Sequence, residues 1–254
     1  MSRLHPLSFE GLHFNVDNKE KFERGLSLIR ESIACRGATL YSSDNMILWN
    51  KNYSFLRESK YKEIISDESI EIIPKAILWR TYILEYFINR TLQLEGDIFE
   101  LGVLTGDTAD YLCKSVISST INKTFYLIDL FEWKDGDKHT KRKELFIENL
   151  ARRTEERFQR YNFVKIIEGD VRVRLPEIKP AKVSFAHIDL NNPEAEEFSL
   201  NYLAPRMVKG GCIIFDDYGW WGYSAQKAAL DPIAISFGQE ILELPTGQGL
   251  LIKR

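Results

Sequence analysis

The chain has 254 residues, long for one minimal domain and short for two full ones, so a single α/β domain with an N-terminal extension is expected. Hydrophobic residues make up 44% and charged residues 28%, enough for an ordinary globular core. A net charge of −3 without a basic stripe argues against a nucleic-acid partner.

The one basic cluster, Lys138, Lys141, Arg142 and Lys143, is interrupted by Glu144 and followed by Glu148, as on a solvated helix face. Cys35, Cys113 and Cys212 are odd in number, far apart and match no metal-ligand spacing. Cys113 and Cys212 lie in apolar runs and read as small buried hydrophobes, which suits a reducing compartment. Residues 1–14 hold no apolar stretch of signal-peptide length, and no segment approaches the roughly 18 to 20 apolar residues of a membrane span. A cytoplasmic protein with no membrane partner is expected.

Residues 1–95 are polar and irregular and are expected to form an N-terminal helical extension or lid. Asp17 is placed to cap a helix over Lys19–Cys35, where Phe22, Leu26, Leu28 and Ile29 make an apolar stripe. Pro74 suits the first turn of a second helix running to about Leu92, because its missing N–H has no intrahelical partner there. That helix is apolar around much of its circumference. It must be covered by the rest of the chain or by a second copy, and a homo-oligomer is possible on that ground.

From Gly96 onward, strand, loop and helix alternate. Strands are expected at Asp97–Leu101, Thr124–Ile128, Val164–Glu168, Val183–Ile188, Gly211–Phe215, Glu240–Leu244 and Gly249–Lys253. Helices are expected at Thr105–Val116, Thr140–Tyr161, Glu194–Met207 and Ser224–Phe237. This alternation gives a mostly parallel seven-stranded sheet with helices on both faces over residues 96–254, the last two strands forming an antiparallel edge. Ligands of such sheets bind at the carboxyl ends of the strands. Those ends are acidic: Glu100, Asp129, Asp170, Asp189, Asp216 and Asp217.

The first strand runs into Glu100-Leu101-Gly102-Val103-Leu104-Thr105-Gly106. Glycines at a strand-to-helix turn allow close approach of backbone to ligand, and the spacing is not the GxGxxG of a dinucleotide site. Glu100 would attract a cationic amino-acid moiety. Asp129 would take both ribose hydroxyls, or serve only as a cap. Asp170, after Glu168-Gly169, would accept from an adenine amino group, or be a simple turn aspartate. Together they fit adenosine plus an amino acid, which describes S-adenosylmethionine. Asp189 ends the fourth strand, and Asp216 and Asp217 end the fifth. If those strands are neighbours, three carboxylates converge, which is costly unless a cation lies between them. Hard oxygen ligands suit Mg²⁺ or Mn²⁺.

The stretches FELGVLTGDTA, LIDLFEW, HIDL, LAPRMVKGGCIIFDDYG and LPTGQGLLIK carry a pattern that resembles the macrocin, mycinamicin and novobiocin sugar O-methyltransferase family of class I methyltransferases. The resemblance spans residues 96–254 and is only loose before that. It implies a Rossmann-like fold, S-adenosylmethionine as donor and Mg²⁺ as cofactor. By motif, Asp189, Asp216 and Asp217 would ligate the metal. Glu100, Gly102, Thr105, Gly106, Asp129, Gly169 and Asp170 would hold the donor. The implied acceptor is a sugar hydroxyl on a natural product.

The family's general base, a second aspartate two residues after the first, is replaced here by Asn191, and a neutral amide takes no proton. Either His187 or His139 serves as base, or the acceptor is already ionised, as a carboxylate or phosphate-like oxygen is. Nitrogen remains open as an acceptor. Tyr218, Trp220, Trp221 and Tyr223 follow the metal aspartates and would stack on a sugar or aromatic acceptor, or pack against the N-terminal helices. The loop Glu132–Thr140 is placed to act as a lid. Tyr223 and Lys227 also match the Tyr-x-x-x-Lys pair of short-chain dehydrogenases, but no glycine-rich dinucleotide turn accompanies them. A nicotinamide oxidoreductase and a non-catalytic scaffold are the distant alternatives.

Overall fold

A computed structural model describes residues 8–33, 39–115, 122–132 and 148–254. Cys35, the basic cluster, His139, most of the expected lid and the start of the expected 140–161 helix lie outside the described residues. The chain forms two compact units that divide between Tyr82 and Ile83.

The first unit contains strands β1 (Phe9–Glu10), β2 (Leu40–Ser43) and β3 (Met46–Trp49) in a small sheet of order β1-β2-β3. This sheet was not expected from the polar texture of the region. Its local signal is Asp44-Asn45, both left-handed at φ 51° and 57°, which form the two-residue turn that a hairpin favours. Helix α1 (Lys19–Ile33) is capped by Asn18, whose Oδ1 accepts from the Lys21 amide at 2.8 Å, one residue beyond the expected Asp17. After α2 (Ser59–Ser66), the expected 74–92 helix is two: α3 (Ile72–Ala76) and α4 (Leu78–Thr91), broken at Ile77 with φ −90° and ψ 19°. Arg80 grips the Asp44 carboxylate through Nε at 2.8 Å and Nη2 at 2.7 Å, both side chains being nearly sealed from solvent. Phe55 stacks on Tyr82 beside Tyr61 and Trp79, so an aromatic cluster supplies this small unit's core.

The second unit is the expected seven-stranded sheet. Its strands are β4 (Asp97–Leu101), β5 (Phe125–Asp129), β6 (Val164–Glu168), β7 (Val183–Ile188), β8 (Met207–Phe215), β9 (Leu242–Glu243) and β10 (Gly249–Ile252). Their order is β6-β5-β4-β7-β8-β10-β9. The first five are parallel, and β10 runs antiparallel to both β8 and β9. The helices are the end of α4, then α5 (Asp107–Ser115), α6 (Leu150–Phe158), α7 (Val171–Ile178), α8 (Pro193–Leu203) and α9 (Ser224–Ser236). Helix α7 was not expected: Val-Arg-Val-Arg alternates with a strand's period, and Pro176 sits inside the helix. No helix among the described residues is long and apolar enough to cross a membrane.

The pleat of the sheet decides what faces what. Phe99, Leu101, Ala186, Ile188, Ile213 and Phe215 join one core layer with Leu175 of α7, Leu200 of α8 and Leu230 of α9. Ile98, Phe125, Phe185, Cys212 and Ile214 join the opposite layer with Leu84 and Ile88 of α4, Leu112 of α5 and Phe158 of α6. Successive residues alternate faces. Glu100, His187 and Asp216 therefore fall on the second face, at the carboxyl end of its apolar layer. Going from β4 the chain winds outward through β5 and β6, then returns to place β7 on β4's other side. The switch point lies between β4 and β7, where such sheets open a crevice.

Candidate functional site at the switch point

The turn after β4 is built against the end of β7. Gly102 has φ +87°, and a Cβ there would overlap the Asp189 carbonyl oxygen and lie 2.6 Å from its carbonyl carbon. The Asp189 amide donates to the Leu101 carbonyl at 2.7 Å. Gly106 has φ +77°, and a Cβ there would lie 2.6 Å from the Phe158 ring, so this glycine serves the packing of α6. Thr105 donates its hydroxyl to Asp107 at 2.6 Å in the first turn of α5.

Asp129 ends β5 with its carboxylate already engaged. Its Oδ2 accepts from the amides of Val103 at 2.5 Å and Leu104 at 2.8 Å, and its Oδ1 from that of Phe131 at 2.7 Å. These bonds hold the shape of the Gly102–Gly106 turn. Gly169, at φ +135°, lies under the Arg174 side chain. Asp170 caps α7, accepting from the Arg172 amide at 2.9 Å and pairing with the Arg172 guanidinium at 2.6 Å.

Glu100 is 2% exposed, with Oε1 3.3 Å from His187 Nδ1. Its Oε2 is buried without a hydrogen-bond partner among the described residues. Burial raises the Glu100 pKa, against the lowering effect of His187. His187 lies between two acids, with Nε2 3.5 Å from Asp216 Oδ1. Burial alone would lower its pKa, but hydrogen bonding to Asp216 and Glu100 outweighs this and raises it to about 10. His187, 3% exposed, is enclosed between these two acids.

Asp189, Asp216 and Asp217 converge as expected: one carboxylate oxygen from each lies within 4.8 Å of the others. Asp216 is buried, and its two partners are half-buried. Asn191, in the left-handed region at φ 54°, donates from Nδ2 to Asp189 Oδ1 at 3.0 Å. It orients an acid and takes no proton itself.

Residues 99–218 match a family described as methyltransferase domain. The chain carries a methyltransferase domain. No curated protein sequence matches it. Its fold is similar to that of the O-methyltransferase NovP, at TM-score 0.56 and 18% identity over 68% of this chain and 79% of that one. It is also similar to CalS11, described as a calicheamicin methyltransferase, at TM-score 0.61 and 15% identity over 94% and 95% of the two chains. The apo form of CalS11, described as a TDP-rhamnose 3'-O-methyltransferase, gives 0.55 and 17% over 94% and 96%. An O-methyltransferase from Bacillus cereus in complex with SAH gives 0.50 and 13% over 77% and 91%.

The aromatic residues of the methyltransferase divide sharply. Tyr218 is 1% exposed and belongs to the core; its hydroxyl binds Asp231 and accepts from Lys227 Nζ at 2.7 Å. Its expected role as an acceptor-stacking residue is corrected: the ring faces the interior. Lys227 bonds Tyr218 and pairs with Asp231 and Glu243, and the methyltransferase match argues against the nicotinamide reading. Trp220 is half-buried, its ring where a Cβ on Gly247 would be. Tyr223 is half-buried and Trp221 is 94% exposed.

Two buried polar groups of the methyltransferase escaped the sequence reading. Gln248 is 0% exposed and donates to Asp216 Oδ1 at 3.2 Å, while accepting from the Thr246 hydroxyl at 3.0 Å. Glu196 of α8 accepts from Gln226 of α9 at 2.8 Å. Burial, then the charge of Asp217, raises its pKa to about 8. Glu196 sits among acidic residues that read as a helix surface, and only the glycines flanking Gln248 hint at a buried turn.

Proposed function

We propose that the methyltransferase moves a methyl group from S-adenosylmethionine to an oxygen of a small molecule, assisted by Mg²⁺ or Mn²⁺. The acceptor we favour is a hydroxyl of a sugar or of a glycosylated natural product. The observation that carries the metal is the convergence of Asp189, Asp216 and Asp217 within 4.8 Å. Three anions so close repel one another, and an all-carboxylate set suits a hard divalent cation. Such a cation would bind an acceptor hydroxyl and lower its pKa.

The residues around the turn fit the donor. The unpartnered Glu100 Oε2 is a buried acceptor suited to a cationic amino group. Gly102 allows backbone approach, and Asp129 holds the turn rigid, with one lone pair of Oδ1 left for a ribose hydroxyl. The protein's contribution to displacement at a sulfonium is to align the two reactants and exclude water. Trp221, almost fully exposed four residues after Asp217, is the aromatic surface offered to an acceptor. The sugar class draws support from CalS11, described as acting on TDP-rhamnose. The free, buried Cys113 and Cys212 suit the cytoplasmic location we propose.

Asn191 and the closed His187 favour a second reading of the acceptor. With an amide at Asn191 and His187 enclosed between two acids, an oxygen already ionised, such as a carboxylate, needs no base. Incubating the protein with S-adenosylmethionine, Mg²⁺ or EDTA, and panels of nucleotide sugars, glycosides and carboxylic acids separates these. Mg²⁺-dependent S-adenosylhomocysteine formation with a hydroxyl acceptor supports the first reading; turnover confined to acids supports the second. Equal rates in EDTA and in Asp216→Ala would remove the metal from the account.

A further inference from the structure

We infer that His187 couples the donor end of the site to its metal end, so that donor and divalent cation oppose each other in binding. The inference rests on the reading above, in which Glu100 faces the donor's amino group and Asp216 the cation.

Strand register creates the connection. Glu100 of β4 pairs with His187 of β7, and His187 with Ile214 of β8. Asp216 lies two residues beyond Ile214, so the three side chains share one face of the sheet. Each ring nitrogen of His187 meets a different carboxylate, Nδ1 at 3.3 Å from Glu100 and Nε2 at 3.5 Å from Asp216. At 3% exposure, little water competes for either contact. On its far side Asp216 Oδ1 is held by Gln248, which Thr246 holds in turn.

One ring shared by two acids cannot serve both equally once either acid gains a cation of its own. A divalent cation on Asp216 weakens that acid's pull on the ring and leaves the ring to Glu100. Glu100 then offers less to the donor's amino group. A donor amino group on Glu100 acts the same way in reverse on Asp216. Linkage requires the same factor in both orders. His187 is on this view a positioning residue with a thermodynamic effect at both ends.

Calorimetry on the full chain tests this, with S-adenosylhomocysteine as the probe because it carries the amino group without the sulfonium. In the wild type, saturating Mg²⁺ is expected to weaken S-adenosylhomocysteine about fivefold. In His187→Asn both ligands still bind, and the factor falls toward one. Gln248→Leu is the comparison: Mg²⁺ affinity falls about tenfold while the coupling stays. Should His187→Asn not fold, Glu100→Gln takes its place and is expected to lose the coupling in Mg²⁺ titrations. An unchanged factor in the folded variant, or a wild type that binds both ligands independently, overturns the inference alone. A wild type that binds neither ligand overturns the proposed function as well.

Discussion

Gly102 and Asp189 meet backbone to backbone, so closely that any side chain at residue 102 would overlap the Asp189 carbonyl. The contact locks the Gly102–Gly106 turn to the end of β7 that presents Asp189. Gly102→Ala also places an L-residue at φ +87°, which alone costs about 1–3 kcal/mol. A loss of at least about 3 kcal/mol by urea denaturation is expected, together with weakened S-adenosylhomocysteine binding. Wild-type stability in this variant would mean that the turn is not fixed as described.

The acidic triad makes a prediction with opposite signs in two buffers. In EDTA, Asp217→Asn relieves repulsion and is expected to be as stable as the wild type or more so. With Mg²⁺ at a hundredfold excess over its Kd, the wild type gains about 2.7 kcal/mol and the variant almost none. Thermal melts in the two buffers check this, and equal Mg²⁺ gains would contradict it.

Glu196 predicts a pH dependence. Its pKa of about 8 in the folded chain exceeds the roughly 4.3 of an unfolded glutamate. The folded state therefore binds more protons between these values, and stability falls as pH rises from about 4.3 to about 8, then levels off. The loss is on the order of a few kcal/mol. Glu196→Gln, which keeps the pairing with Gln226 without a charge, is expected to flatten this slope in urea titrations at about pH 5 and pH 8.5. Parallel wild-type and variant profiles would contradict the assignment.

Tyr218 and Trp221 separate stability from acceptor binding. Tyr218→Phe removes the hydroxyl that bridges Lys227 and Asp231, which still pair with each other at 3.4 Å, and is expected to cost about 1 kcal/mol, leaving acceptor KM unchanged. Trp221→Ala, at a residue 94% exposed, is expected to leave stability within about 0.5 kcal/mol and to raise acceptor KM. Melting curves and initial rates on the first acceptor identified decide both.

The sheet was legible because its strands are apolar runs closed by acids, and a buried parallel strand can be written in few other ways. The triad was legible for the same reason: Asp189, Asp216 and Asp217 end neighbouring strands. The hairpin at Asp44-Asn45 and helix α7 were not, since one hides in polar sequence and the other alternates like a strand. Asp129 and Asp170 also accept from backbone amides, which residue type alone does not reveal, because a strand-end acid suits a ligand hydroxyl and an amide equally. Burial of His187 between two acids depends on pairing across three strands, which periodicity within one strand cannot reveal.

The most direct test of the central claim is a calorimetric titration of S-adenosylmethionine into the purified chain, beside Glu100→Gln. The account predicts saturable binding in the micromolar range, weakened about tenfold or more in the variant. No heat of binding to the wild type would contradict it.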